Sequence, residues 1–257
     1  IAADATAAWV THFSANLVSR IDATSFVVTS LSGHDGPGAV VAAEGSVWVM
    51  NVRTETSSEI DSENPARAPS TQFLQFRPGA VAVGGGSVWV INAEIDSVVP
   101  VGPIEGQTRV GDAINVGQEP VAVAAGADTV WISNSVSQTL SRLSMLLQTA
   151  DSIPLDFTPG ALALDDEADV LWVVDTSADA VVRYDIRSRD QASVSVGSRP
   201  TAIAIGADAV WVANSGDGTV SRIDPTTNEV VQIITIGGSP VGIAVGGDTV
   251  WVAVAER

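Results

Sequence analysis

Seven tryptophans, at positions 9, 48, 89, 131, 172, 211 and 251, stand 39, 41, 42, 41, 39 and 40 residues apart. Each lies in the same local frame, as in Ala209-Val-Trp-Val-Ala-Asn214, Ser87-Val-Trp-Val-Ile-Asn92 and Thr129-Val-Trp-Ile-Ser-Asn134. A fixed period of roughly 40 residues cut into short strands restricts the chain to a propeller or a solenoid. Proline extends the frame: Pro37, Pro78, Pro120, Pro200 and Pro240 each precede a tryptophan by 11 residues, and Pro159 precedes Trp172 by 13. Twelve residues after the tryptophan stand Ile21, Ile60, Tyr184 and Ile223, each followed by Asp; Val101 and Leu143 fill the slot in the other two copies.

The unit that starts at Pro200 divides into four runs, 201–205, 209–213, 219–223 and 230–236, separated by Gly, Asn, Asp and Pro. β-Branched runs of about five residues with such punctuation are strands, and their near-continuous apolarity suits sheets covered on both faces. Four antiparallel strands make a propeller blade. The stretch 140–155 looks locally helical, but it falls on the third and fourth strand slots, so the register assigns it to strands. Small residues such as Ala82, Ala122, Ala204 and Ala244 suit an inner strand at the crowded axis, and Trp supplies bulk between blades that splay apart with radius.

The expected fold is therefore all-β, a single propeller domain over residues 1–257 built from four-stranded blades. The start, 1–9, aligns without a gap on 243–251, so the chain opens inside a first strand and stops after the second strand of a seventh unit. The reading is a seven-bladed ring whose missing strands lie beyond these ends, as in a piece of a larger chain. A six-bladed ring with a two-strand overhang is the alternative, and it leaves Trp251 without a slot.

Composition narrows function. The formal net charge is −18, and all 12 basic residues are Arg. Such a surface repels nucleic acid and anionic membranes. The absence of Cys excludes thiol nucleophiles, disulfides and Cys-ligated metals. No apolar run reaches the roughly 20 residues needed to span a bilayer, so no direct membrane insertion is expected.

The segment Trp211-Val-Ala-Asn-Ser-Gly-Asp-Gly-Thr-Val-Ser-Arg-Ile-Asp224 resembles the YVTN-type β-propeller repeat, with Trp where that family usually has Tyr. It is also similar to the repeat of streptogramin (virginiamycin B) lyase-like propellers. The resemblance covers the whole chain. It implies a bacterial propeller of a group that includes surface proteins, sensor domains and a few enzymes. The lyases use His and Glu near the channel mouth with Mg²⁺; here the histidines are His12 and His34, without His-x-Glu or paired-His spacing. The catalytic pattern is not matched, and no catalytic residue is assigned.

Repeated residues are needed to make blades, so function belongs where the repeat breaks. The slot three residues after the tryptophan holds His12, Asn51, Asn92, Asn134, Asp175, Asn214 and Val254, and its Asn and Asp residues read as turn formers. Asp22, Asp61, Asp185 and Asp224 read the same way. Arg20, Arg142, Arg183 and Arg222 mark one third-strand position and suggest an ion pair along the blade; Glu59 and Pro100 interrupt that series, and Pro100 with Pro103 is expected to distort the third strand of blade 3.

By contrast, Gly36, Arg77, Glu119, Thr158, Arg199 and Ser239, each just before a frame proline, are irregular. With Phe13, Phe76 and Phe157 on the same face, Arg77, Glu119 and Arg199 form the candidate binding set; Phe76 and Phe157 have interblade filling as their competing role. The carboxylates Glu55, Glu59, Asp61, Glu63, Glu94 and Asp96 are dense enough to gather Ca²⁺, but their spacing matches no recognised loop, so they read as a solvated face. No cofactor is expected, and Ca²⁺ or Mg²⁺ would be the ion if one bound.

The leading expectation is a non-catalytic, extracytoplasmic binding or sensing module, secreted or on the cell surface, for a protein, peptide or glycan. A metal-dependent enzyme of lyase or lactonase type is the first alternative. A structural repeat of a surface protein is the second.

Overall fold

The computed structural model describes residues 1–43, 45–104 and 107–255. Each of the first six tryptophans sits in the second strand of an antiparallel sheet, and the sheets follow one another in chain order. Blade 6 shows the plan: Pro200–Gly206, Ala209–Asn214, Thr219–Asp224 and Glu229–Thr235 pair in sequence order. The locally helical stretch 140–155 falls in two strands, Thr139–Ser144 and Thr149–Pro154, as its register requires.

The described residues form six blades, spanning 2–31, 37–73, 81–115, 120–154, 159–195 and 200–235, each of four strands except the third, whose outer strand is in two pieces. The seven-bladed expectation is thereby corrected to its alternative. Counting tryptophans counts second strands, and the seventh repeat supplies only two: Ser239–Gly246 and Thr249–Ala255 form a two-stranded sheet. That sheet is not an overhang. Its first strand packs on blade 6 at one side and on the first two strands of blade 1 at the other. Trp251 accordingly has a place, half-buried, with its ring tilted 6.1 Å from that of Phe26 in blade 1.

Burial explains the frame. Trp9 packs with Val47 and Val49 of blade 2, Trp131 with Leu162, Leu171 and Val173 of blade 5, and Trp172 with Ile203, Val210 and Val212 of blade 6. Each ring thus fills the gap to the next blade, where radial divergence would otherwise leave voids. The frame proline opens the first strand opposite the Trp+3 residue, as in Pro120 with Asn134 and Pro200 with Asn214. A bulge follows each of these prolines, which lack the N–H that regular pairing would use.

The arginine series has a second role that spacing alone did not show. Arg20 and Arg183 reach the Asp two residues on, at 3.3 and 3.8 Å, as the ion-pair reading expects. But Arg20, Arg142 and Arg222 also lie over Trp9, Trp131 and Trp211, 5.8, 5.6 and 5.6 Å from the ring centroids. A guanidinium at that distance is attracted by the ring's quadrupole.

Blade 3 departs from expectation. Its third strand, Ser97–Ile104, runs through Pro100 and pairs with its second strand at five successive positions. The distortion falls on the outer strand instead, which is split into Gln107–Val110 and Ile114–Asn115. A proline in the third strand cannot donate outward, so Gly111 N–H bonding to the Pro100 carbonyl marks where the outer strand breaks.

The repeated Asp residues cap turns between third and fourth strands. Asp22 accepts from the amides of Ser25 and Thr24 and from the Ser25 hydroxyl, and these bonds pull its carboxyl down to about 2. Asp185 is lowered in the same way, first by the Ser188 amide. Both folded-state values lie below the unfolded ones, so the stabilisation is present above about pH 4 and is lost as pH falls towards 2. Thermal melts from pH 4.5 to 2 should show this acid limb, and Asp22→Asn should make it shallower than in the parent.

Candidate functional site

The loops that lead into first strands and those that join second to third strands share one face, and a repeated latch ties them together. The amide four residues after the tryptophan donates to the carbonyl just before the frame proline: Val52 to Gly36, Ser135 to Glu119, Thr176 to Thr158 and Ser215 to Arg199, at 2.9–3.0 Å. The amide of that same pre-proline residue is held by the preceding blade. Gly36 N–H donates to Asn16 Oδ1 at 2.9 Å, Glu119 N–H to Asp96 Oδ1 at 2.8 Å and Arg199 N–H to Asp179 Oδ1 at 2.9 Å. Asn16, Asp96 and Asp179 each stand seven residues after a tryptophan. Sequence reading missed them, although a short polar side chain at constant spacing was the available signal.

This latch fixes both backbone groups of the pre-proline residue and leaves its side chain outside. Glu119 and Arg199 are exposed, with φ of 54° and 52°. Gly36 occupies the same slot at φ 60°. A left-handed backbone is free of strain for Gly but not for Glu or Arg. Glu119 also accepts from the Ser135 hydroxyl at 3.1 Å. The Arg199 side chain lines a concavity of about 350 Å³ with Asp179, Thr176, Ser177 and Thr201.

The candidate set is spread over this face. Arg77, Glu119 and Arg199 lead into blades 3, 4 and 6, all exposed, and no hydrogen bond or ion pair joins them among the described residues. Phe13 is 44% exposed, but its ring is covered by Arg53, whose guanidinium carbon is 4.7 Å from the centroid. Arg53 also donates to Asn16 Oδ1 at 2.7 Å and pairs with Asp35 at 3.4 Å, so this aromatic–cation pair, absent from the sequence reading, belongs to blades 1 and 2. Phe76 and Phe157 are 9% and 7% exposed and sit in interblade cores with Leu74 and Val88, and with Leu162 and Leu171. They take the filling role and anchor the loops carrying Arg77 and Thr158; neither offers contact surface.

The Trp+3 residues are scaffold. Asn51, Asn134 and Asn214 direct their amide nitrogens to third-strand hydroxyls, Ser58, Ser141 and Ser221 at 2.8–3.0 Å. Asn92 and Asp175 instead accept from the amide two residues on, the turn geometry read from sequence. His12 pairs with Ser19 Oγ at 2.9 Å. His34 is only 5% exposed; burial pushes its imidazole below the ordinary value, partly offset by Asn51 alongside. It replaces a glycine: Gly117 and Gly197 hold the same slot in blades 4 and 6, where a Cβ would stand 2.6–2.7 Å from Asn134 and Asn214 side-chain atoms. No group of three or more His, Asp or Glu able to hold a metal occurs among the described residues.

With this geometry in view, the likeness to solved structures is informative. A streptogramin B lyase structure superposes with a TM-score of 0.84 at 19% identity, over 98% of this chain and 88% of the other. The fold is that of the streptogramin B lyase propellers. A catalytically inactive virginiamycin B lyase from Staphylococcus aureus, with one histidine changed to alanine and quinupristin bound, gives 0.82 at 18% identity over 98% and 89%. Hydrazine synthase of Kuenenia stuttgartiensis gives 0.80 at 11% over 99% and 94%. At these identities the likeness is one of fold. No family model matches the sequence, and no curated protein matches it.

Proposed function

We propose that this propeller is a non-catalytic, extracytoplasmic binding or sensing module that takes a protein, peptide or glycan on the face bearing Phe13, Arg77, Glu119 and Arg199. The observation that carries this reading is the pair Glu119 and Arg199. Their slot asks for glycine, as at Gly36, yet it holds two charged side chains at positive φ, pointing out of a backbone that is otherwise fully bonded. Both backbone groups of each residue are held by neighbouring loops, so the two charged groups are carried on a pre-organised rim. Arg77 and Arg199 are the exposed cations of a face that also carries Glu119, Asp96 and Asp179, and they would pair with an acidic group on the ligand.

Arrays of acidic peptides and of uronic or sulfated glycans supply the probes. Capture by the parent at low ionic strength should fall at least about tenfold in Arg77→Ala/Arg199→Ala, with an unchanged melting point. Equal capture by parent and variant, or no capture by either, would remove this face from consideration.

The lyase fold favours a second reading, a metal-dependent lyase or lactonase using Mg²⁺ or Ca²⁺ at the channel mouth. A histidine was the residue changed in the inactive S. aureus enzyme. Here His34 is buried, and His12 shares a hydrogen bond with Ser19 Oγ. Loss of quinupristin in the presence of Mg²⁺, abolished by EDTA, would establish the enzyme reading over the binding one.

A further inference from the structure

We propose that the opposite face of blade 2 seats a guanidinium group, an arginine side chain of a partner peptide, against Trp48 and Glu59. The argument rests on a comparison that the molecule makes with itself. In blades 1, 4 and 6 the third-strand residue facing the tryptophan is an arginine lying over the indole. In blade 5 Arg183 stands opposite Trp172 in the same register. In blade 2 the partner of Trp48 is Glu59. A carboxylate is repelled by the negative π face that a guanidinium covers, so this strand leaves its indole without the cation its relatives carry.

The space left is open. A cavity of about 160 Å³ is walled by Trp48, Val83, Val88 and Glu59. A larger one of about 550 Å³ shares Ser46 and Glu59 with it and reaches the surface past Asp61, Glu63 and Arg67. Glu59 is fixed in place: Ser46 Oγ donates to Oε1 at 2.7 Å, and Oε2 has no partner among the described residues. Asp61 is held in its own turn by the amides of Glu63 and Asn64 at 3.0 Å, and Glu59 is the carboxylate that shares the smaller cavity with the indole. An apolar wall with an indole, and a single oriented carboxylate at its mouth, is the complement of a planar, weakly hydrated cation with in-plane donors. Arginine meets that description better than lysine, and it is the group the other blades place there in cis. The net charge of −18 draws such a ligand in.

The probe is acetyl-Gly-Arg-Gly-amide, with its citrulline isostere as the neutral control, titrated into the parent while indole N–H resonances are followed by NMR. The arginine peptide should shift the Trp48 signal saturably, and the citrulline peptide should bind at least about tenfold more weakly. Glu59→Gln should weaken the arginine peptide by a similar factor. Glu59→Arg restores the residue found in blades 1, 4, 5 and 6; it should abolish binding and move the Trp48 signal without peptide, to where the peptide takes it in the parent. Arg67→Ala should leave binding intact or tighten it. Equal binding of the two peptides, or binding to Glu59→Gln or Glu59→Arg within twofold of the parent, would overturn the proposal.

Discussion

Trp131→Ala is expected to lower stability by about 3–5 kcal/mol through the cavity it leaves. For a chain of this size that corresponds to a fall in melting temperature of roughly 6–20 °C. Trp131 is 1% exposed, packs against three aliphatic residues of blade 5, meets Tyr184 edge-on at 6.2 Å and carries Arg142 over its face. Trp251→Ala provides the contrast. Its ring is half-buried in a sheet with no third strand, and its measured loss should be well under half that of Trp131. Differential scanning calorimetry on the two variants decides the matter; equal losses would show that the two-stranded sheet is as well packed as a blade.

Gly246→Ala is the second large effect, and its expected signature is local. A Cβ at Gly246 would run into the carbonyl oxygen of Asp4 and lie 3.1 Å from Ala3 Cβ, where the last sheet meets blade 1. Backbone cannot step aside as a flexible side chain can, so overpacking of about 1–3 kcal/mol or more is expected. Hydrogen exchange should rise at Ala2–Ala3 and along Ser239–Gly246, while blades 3 to 5 stay protected. Gly102→Ala, whose Cβ would find its nearest atoms at 3.3–3.4 Å, should cost less than Gly246→Ala. Uniform exchange across all blades in Gly246→Ala would mean that the seam carries no special share of stability.

The blade plan was legible because propeller repeats are nearest-neighbour structures: each tryptophan needs the same gap to fill, so the need is written seven times. Blade number was not, because a repeat with two strands carries the tryptophan signal of one with four. The stacking of Arg20, Arg142 and Arg222 was hidden for a different reason. The pairing Trp9 with Arg20 is a cross-strand register, and the sequence distance of 11 acquires meaning only once the hairpin is built. At the candidate face, Arg77, Glu119 and Arg199 stood out as interruptions and are exposed, whereas Phe76 and Phe157 stood out equally and are core. An interruption tells that a slot differs from its relatives; it does not tell whether the side chain turns inward. Arg53 over Phe13 joins two blades through a contact that no spacing encodes.

The latch at the pre-proline residues has a consequence for engineering. Because the N–H and C=O of residues 119 and 199 are both engaged by neighbouring loops, the backbone holds its course whatever side chain is attached. Positions 119 and 199 are therefore two addresses on a fixed rim, open to randomisation as a display library. Residues that tolerate positive φ, Asn, Asp and Gly, are the ones to favour at 119 and 199, and β-branched ones the ones to leave out. Such a library would vary the rim without touching the tryptophans that hold the blades together.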